Sequence, residues 1–322
     1  MRAVVMREFG APEVLQVRQV ADPLPGAGQV LVAVEFASIT FVETQIRAGR
    51  GPAAHSKPAL PRIPGNGVGG RISAVGPDVD PALVGALVVT TTGGDGGYAE
   101  LAVARADDTA PVPQGLALRD AVALLADGRT AVRLHRQAGV APGEWVLVEA
   151  AAGGVGSLLV QLAAESGARV VGAARGTEKR GLVASLGATS YVDYAQPDWA
   201  RLVIDATGGA GVDLVFDGVG GTIGAAALSV LRAGGRASIY GMASGAWTEL
   251  DDDAIAARSV TIIGGAPPTP AEARAFTQEA LRLAAAGRLR PVIGQTFPLA
   301  EAAAAHRAIE ARATTGKTLL IP

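Results

Sequence analysis

The sequence predicts an α/β protein in which a doubly wound parallel sheet follows a small β-barrel-like domain. Three observations carry this expectation. A short apolar run, Trp145-Val146-Leu147-Val148-Glu149, breaks into Ala150-Ala151-Ala152-Gly153-Gly154-Val155-Gly156, and apolar residues then resume at helical spacing (Val155, Leu158, Leu159, Leu162). That order reads as strand, tight turn, helix. Further short apolar runs alternate with helical segments until about six strands have accumulated, the number a doubly wound sheet uses. The first 120 residues instead hold short β-prone runs punctuated by Gly and Pro, with no long helical period.

In chain order, strands are expected at 3–6, 15–20, 29–36, 68–75, 83–90 and 98–103, separated by turn chemistry such as Pro23-Leu24-Pro25-Gly26 and Gly93-Gly94-Asp95-Gly96-Gly97. From Leu118 the period becomes helical through Ala121, Leu124, Leu125, Thr130, Val132 and Leu134, and this shift marks the domain boundary. After the glycine turn, strands are expected at 169–174, 190–194, 212–217, 235–241 and 260–264, with a helix at 179–186 closed by Gly187. Two further helices, 272–286 and 299–311, precede a last strand at 317–321. Because six strands already complete the sheet, this tail is expected to return to the first domain. The expected domains are therefore 1–120 completed by 288–322, and 121–287.

Composition narrows the function classes. Of 322 residues 49% are hydrophobic, which excludes a core-poor disordered chain. A net charge of −2 without a basic run implies no obligate nucleic acid and no anionic membrane, so a small molecule is the expected partner. There is no cysteine, which removes disulfides, thiolate nucleophiles and thiolate zinc sites. The three histidines, His55, His135 and His306, lack ligand spacing and are expected at the surface, so no metal is expected. No apolar run reaches membrane-spanning length and the charged start does not resemble a signal peptide, which points to the cytoplasm.

The glycine turn suggests a dinucleotide site. Glycine lets the backbone approach a pyrophosphate, where a Cβ would hold it away from the free N–H groups of a helix N-terminus. Gly153 and Gly156 fill the second and third places of G-x-G-x-x-G, and Ala151 replaces the first. An ordinary glycine-rich turn is the plainer alternative. At the end of the next strand, where an NAD site presents an acid to the ribose, Arg175 stands instead, with Lys179 one turn later. Both cations suit a ribose phosphate, which selects NADPH over NADH; otherwise they are solvated residues at a helix start. Strand ends at Gly218-Val219-Gly220, Gly241-Met242 and Gly264-Gly265 should line the nicotinamide half of such a groove.

These residues resemble the zinc-free, zeta-crystallin-like quinone oxidoreductase branch of the medium-chain dehydrogenase/reductases, over essentially the whole chain. The resemblance rests on Ala3-Val4-Val5-Met6-Arg7-Glu8-Phe9-Gly10, Gly96-Gly97-Tyr98-Ala99-Glu100, the glycine-rich block, 211–221 and Arg312-Ala313-Thr314-Thr315-Gly316-Lys317. It implies a GroES-like catalytic domain, a Rossmann domain, bound NADPH and a homodimer formed by joining Rossmann sheets. It implies also that Lys179 and Tyr194 hold the 2′-phosphate, that Arg312 reaches the cofactor from the tail, and that Gly218, Gly241, Met242 and Gly265 contact ribose and nicotinamide. With Thr130, Ala151, Gly153, Gly154, Val155 and Arg175 these form the candidate cofactor contacts.

The departures lie on the substrate side. Where the family usually has Asn-Pro-x-Asp, this chain has Thr40-Phe41-Val42-Glu43; its usual tyrosines become Gln45 and Gly51, and Pro-Gly-x-Glu becomes Pro64-Gly65-Asn66-Gly67. Zinc-dependent relatives would carry His-Glu at Asn66-Gly67. Thr40, Phe41, Glu43 and Asp127 are the candidate pocket residues, Thr40 as a hydroxyl near a developing oxyanion. The plainer alternative for Glu43 and Asp127 is a solvated loop carboxylate and a helix cap. Three functions are compatible: an NADPH-dependent reductase of quinones or α,β-unsaturated carbonyls, a dedicated enoyl or ketone reductase of one biosynthetic intermediate, and a non-catalytic NADPH-binding protein.

Overall fold

The computed structural model of the chain describes residues 1–51, 57–264 and 266–322. Two of the expectations above, on His55 and Gly265, lie outside the described residues. The chain divides into two compact units, Met1–Arg129 with Pro270–Pro322, and Thr130–Thr269. Composition draws the boundaries at 120 and 287 instead. The difference has a packing cause: the helix Pro270–Ala285 belongs to the first unit, where its Arg274 pairs with Asp108 at 3.5 Å. Its Ala280 also lies so close to Gly128 that a Cβ added there would sit 2.9 Å away.

In the first unit β1 (Arg2–Met6) pairs antiparallel with β2 (Leu15–Gln19). The main sheet is built around β3 (Gln29–Ile39), which is followed by α1 (Phe41–Arg47), β4 (Gly67–Val75), β5 (Leu87–Thr91), β6 (Leu101–Arg105) and β7 (Thr109–Pro111). The long α2 (Leu118–Ala138) comes next. The strand expected at 83–90 begins only at Leu87, because Asp80 caps the Ala82 N–H at 2.9 Å and Pro81 sets a 3₁₀ turn through Leu83. β3 pairs antiparallel with β4 and β6 and, near its end, with the chain's last strand, Lys317–Ile321. Two register shifts against β4 bend it, which is how a flat ladder becomes barrel-like. Val4, Met6, Val34, Ile39, Tyr98, Leu299 and Leu320 form the core inside the bend.

The second unit alternates strand and helix: β8 (Trp145–Glu149), α3 (Gly154–Glu165), β9 (Arg169–Ala174), α4 (Arg180–Ser185), β10 (Ser190–Asp193) and α5 (Trp199–Ala206). The second half holds β11 (Val212–Asp217), α6 (Gly221–Ser229), β12 (Leu231–Ile239), α7 (Asp252–Ala257) and β13 (Thr261–Ile263). The strands are parallel in the order β10-β9-β8-β11-β12-β13, which is the doubly wound order expected. Val146, Leu147 and Val148 are wholly buried, as strands covered on both faces require. The strand order reverses between β8 and β11, so a ligand crevice is expected outside their carboxyl ends. To the first unit return α8 (Pro270–Ala285), β14 (Ile293–Pro298), α9 (Ala302–Glu310) and β15 (Lys317–Ile321), and β15 closes on β3.

Candidate functional site

At the carboxyl end of β8 the chain reverses within four residues to start α3 at Gly154, with Gly153 as its N-cap. The turn depends on Ala150, a non-glycine residue in the left-handed region (φ 47°). Its carbonyl oxygen lies under the start of the helix: a Cβ would meet it at 3.1 Å from Gly153 and at 2.2 Å from Gly156. No side chain fits at Gly156, whereas Gly153 is tight without being closed. Ala151 is wholly buried beneath the turn, and Gly154 and Val155 begin the helix, where N–H groups lack intrahelical partners. Gly156, read as part of the motif, is thus the position whose glycine the backbone demands. Thr130 lies in α2.

After β9 the chain runs through exposed Arg175 and through Gly176 (φ 88°) into a 3₁₀ turn whose last residue is Lys179, half-buried at the entrance to α4. The neighbouring strand holds this turn: the Asp193 carboxylate accepts from Gly176 N at 3.0 Å and from Ala195 N at 2.9 Å. Burial works against its charge, but those two N–H groups prevail and keep Asp193 below the usual carboxylate range. Sequence spacing gave no hint of Asp193, because the contact joins adjacent strands. Tyr194 follows it and packs edge-on against Trp199 with ring centroids 6.4 Å apart. At the ends of β11 and β12 the backbones nearly touch, since a Cβ on Gly241 would lie 2.5 Å from the Gly218 carbonyl oxygen. Met242 follows, half-buried.

The remaining candidates belong to the first unit. Thr40 is the N-cap of α1, and the Glu43 carboxylate reaches back to its N–H at 2.6 Å and its hydroxyl at 3.0 Å. This is the reciprocal half of a capping box. Glu43 is buried rather than solvated: its second oxygen accepts from Asn66 N at 2.9 Å, and the Tyr98 hydroxyl lies 3.4 Å from the first. Burial raises its pKa, while Thr40, Lys317 and Asn66 pull it back. Asp127 is not a helix cap; it sits within α2 and pairs with Lys317 at 3.0 Å, both nearly out of water. Phe41 opens α1, and Arg312 (φ 59°) places its guanidinium over the Phe41 ring at 4.7 Å, within cation–π range.

His306, expected at the surface, is fully buried on α9. Its Nε2 lies 3.1 Å from the Tyr98 hydroxyl, with the rings edge to face. Small neighbours, Ala302 and Ala305, let α9 pack this close to the core. Burial, with Arg47 nearby, depresses its pKa to about 3, so the ring is neutral. His135 is half-buried and bonded to Ser166 at 2.9 Å. Among the described residues no group of three or more His, Cys, Asp or Glu stands where a metal ion could be held.

A doubly wound parallel sheet with a glycine turn at its switch point, joined to a barrel-like unit, defines a two-domain dehydrogenase of the alcohol dehydrogenase type. Family models agree: the alcohol dehydrogenase GroES-like domain matches residues 26–114 and the zinc-binding dehydrogenase model matches residues 186–320. A quinone oxidoreductase of Pseudomonas aeruginosa is 33% identical over 98% of this chain and 97% of its own, and a 2-haloacrylate reductase of a Burkholderia species is 33% identical over 99% and 98%. The chain belongs to the quinone oxidoreductase branch of the medium-chain dehydrogenase/reductases. Among solved structures, Escherichia coli quinone oxidoreductase complexed with NADPH superposes with a TM-score of 0.91 at 29% identity, covering 100% of both chains.

Proposed function

We propose that this chain is an NADPH-dependent, metal-independent reductase of quinones or α,β-unsaturated carbonyl compounds. The observation that carries the reading is the β8–α3 turn, where Gly156 leaves room for nothing but backbone and the first N–H groups of α3 are free to receive a pyrophosphate. At the end of β9, where an NAD site would present an acid, the chain has Arg175, with Glu178 and then Lys179 in the turn that follows; the two cations suit the extra phosphate of NADPH. When bound, the nicotinamide would supply the hydride. The chain's own part is to orient it from Gly218, Gly241 and Met242; the Thr40 hydroxyl, already given to the Glu43 carboxylate, is not free to serve the oxygen that gains charge. A relative named for reducing a haloacrylate supports an electron-poor alkene as an alternative acceptor to a quinone. Neither the absent cysteine nor the neutral, buried His306 offers zinc a place, which supports turnover without metal.

Fluorescence titration with both cofactors tests the reading. NADPH should bind at least about tenfold more tightly than NADH, since a charge-assisted phosphate contact contributes about 1.5–3 kcal/mol. Lys179→Ala should shrink that ratio, and equal affinities in the native protein would refute the cofactor assignment. NADPH oxidation by simple quinones should continue after exhaustive chelation.

A narrower acceptor, as in a dedicated biosynthetic reductase, is favoured by one feature, the Phe41 ring under Arg312. Phe41→Ala should raise KM for a bulky cyclic enone. We further propose a cytoplasmic homodimer, in line with its family resemblance; a monomer by sedimentation would exclude the dimer.

A further inference from the structure

Glu149 ends β8 and Asp217 ends β11, the two strands that flank the switch point. Extending the Phe216–Val148 register by one residue sets them side by side on one face of the sheet. Both are wholly buried. Their neighbours in the same row, Ala173 on β9 and Ile239 on β12, carry no charge. From α6 comes Gly224, where a Cβ would lie 2.5 Å from Asp217 Oδ2, and from the segment before α7 comes the Thr248 hydroxyl, which donates to that same oxygen. The Tyr240 phenol lies over Gly218, where an added Cβ would meet it at 2.5 Å.

The donors do not suffice for two carboxylates. Asp217 Oδ1 accepts from Val219 N at 3.0 Å and Gly220 N at 2.8 Å, and Glu149 Oε2 accepts from the same Val219 N at 3.2 Å. Two acids thus converge on the Val219 N–H, with the Gly218 N–H also turned toward Glu149. Glu149 Oε1 is buried with no partner. An unpaired carboxylate oxygen beside a second carboxylate, with no ion pair to either among the described residues, is costly in a dry sheet.

We propose that Glu149 and Asp217 hold one proton between them, and that this proton fixes the Gly218-Val219-Gly220 loop that the NADPH reading places against the cofactor. Glu149, as the acid, donates to the Asp217 carboxylate; the pair then carries one negative charge, which the Val219 and Gly220 N–H groups and Thr248 satisfy. Burial, reinforced by Asp217, raises the Glu149 pKa well above its ordinary value, in agreement. When alkali removes the proton to solvent, two like charges remain side by side, and the loop that both grip is released. Glu149 is a positioning residue: it acts on the cofactor through the loop. The loop's role toward NADPH rests on the function proposed above; the shared proton does not.

The test uses the full chain with and without NADPH. Infrared difference spectroscopy of the apoprotein near neutral pH should show the carbonyl band of a buried protonated carboxylic acid, and Glu149→Gln should remove it. Hydrogen exchange of Val219 and Gly220, corrected for intrinsic rate, should lose about tenfold in protection once alkali has removed the proton. Glu149→Gln, which keeps a donor toward Asp217 without a proton to lose, should hold protection in the same alkali. NADPH affinity should follow the same two curves. No acid band in the native protein, or equal alkaline loss of protection in both proteins, overturns the proposal. Should the band and the exchange behave as expected while NADPH fails to bind at neutral pH, the shared proton stands and the cofactor reading falls.

Discussion

Glu43 and Glu149 are both taken out of water, one by the barrel-like unit and the other by the parallel sheet, and burial raises the pKa of each. Their surroundings differ. Around Glu43 the chain brings two backbone N–H groups, the Thr40 and Tyr98 hydroxyls and the charge of Lys317, so each oxygen has a partner. Around Glu149 it brings a second acid and leaves one oxygen without a partner. The same side chain is therefore a structural tie in one place and a proton store in the other. Burial alone decides neither; the count of donors does.

That contrast can be broken experimentally. The largest effect should come from Lys317→Met, which strands Asp127 without its partner and takes positive charge from Glu43; breaking a buried pair from one side costs about 3–5 kcal/mol. The midpoint of urea unfolding reads it, and a loss below about 1 kcal/mol would mean that water already reaches the pair. Acid comes next. His306 titrates at about 3 in the folded chain against an ordinary 6.5, so the stability it contributes is complete above pH 6.5 and is lost as pH falls toward 3, at up to about 1.4 kcal/mol per pH unit. His306→Gln should flatten that limb in acid melts.

Smaller again is Glu43→Gln, which exchanges an acceptor for a donor opposite the Thr40 and Asn66 N–H groups and should cost about 1–3 kcal/mol near neutral pH. Glu149→Gln should act in the other sense. With a folded pKa raised above 4.5, the native acid contributes stability that is present below 4.5 and drains away as pH rises. The melting temperature of the variant relative to native should therefore climb as pH rises above 4.5. A climb of equal size in Glu43→Gln would erase the distinction between the two sites.

How much of this was legible in the sequence follows from the range of the interactions. The parallel sheet could be read because each strand announces itself locally: apolar runs such as Val146-Leu147-Val148 end in glycine or a small residue. The turn residues Gly153 and Gly156 were readable for the same reason. Glu43, Tyr98 and the tail residues His306 and Lys317 meet from three distant parts of the chain, and no spacing rule reaches that far. So the sequence suggests a surface place for His306, and a pocket or a cap for Asp127. The helical α1 follows from Thr40 and Glu43, which carry the capping-box spacing, against the strand tendency of Phe41-Val42.

Ala150 shows where rigidity enters this molecule. Alanine in the left-handed region carries about 1 kcal/mol of strain that glycine would not, yet it has fewer unfolded conformations to surrender, so Ala150→Gly should leave the melting temperature nearly unchanged. What changes is the breadth of conformations open to the turn before α3. An alanine there is set before any ligand arrives, and the strain is borne at folding rather than at binding. A glycine would defer that ordering to the ligand, which would appear as weaker dinucleotide affinity in a protein of unaltered stability.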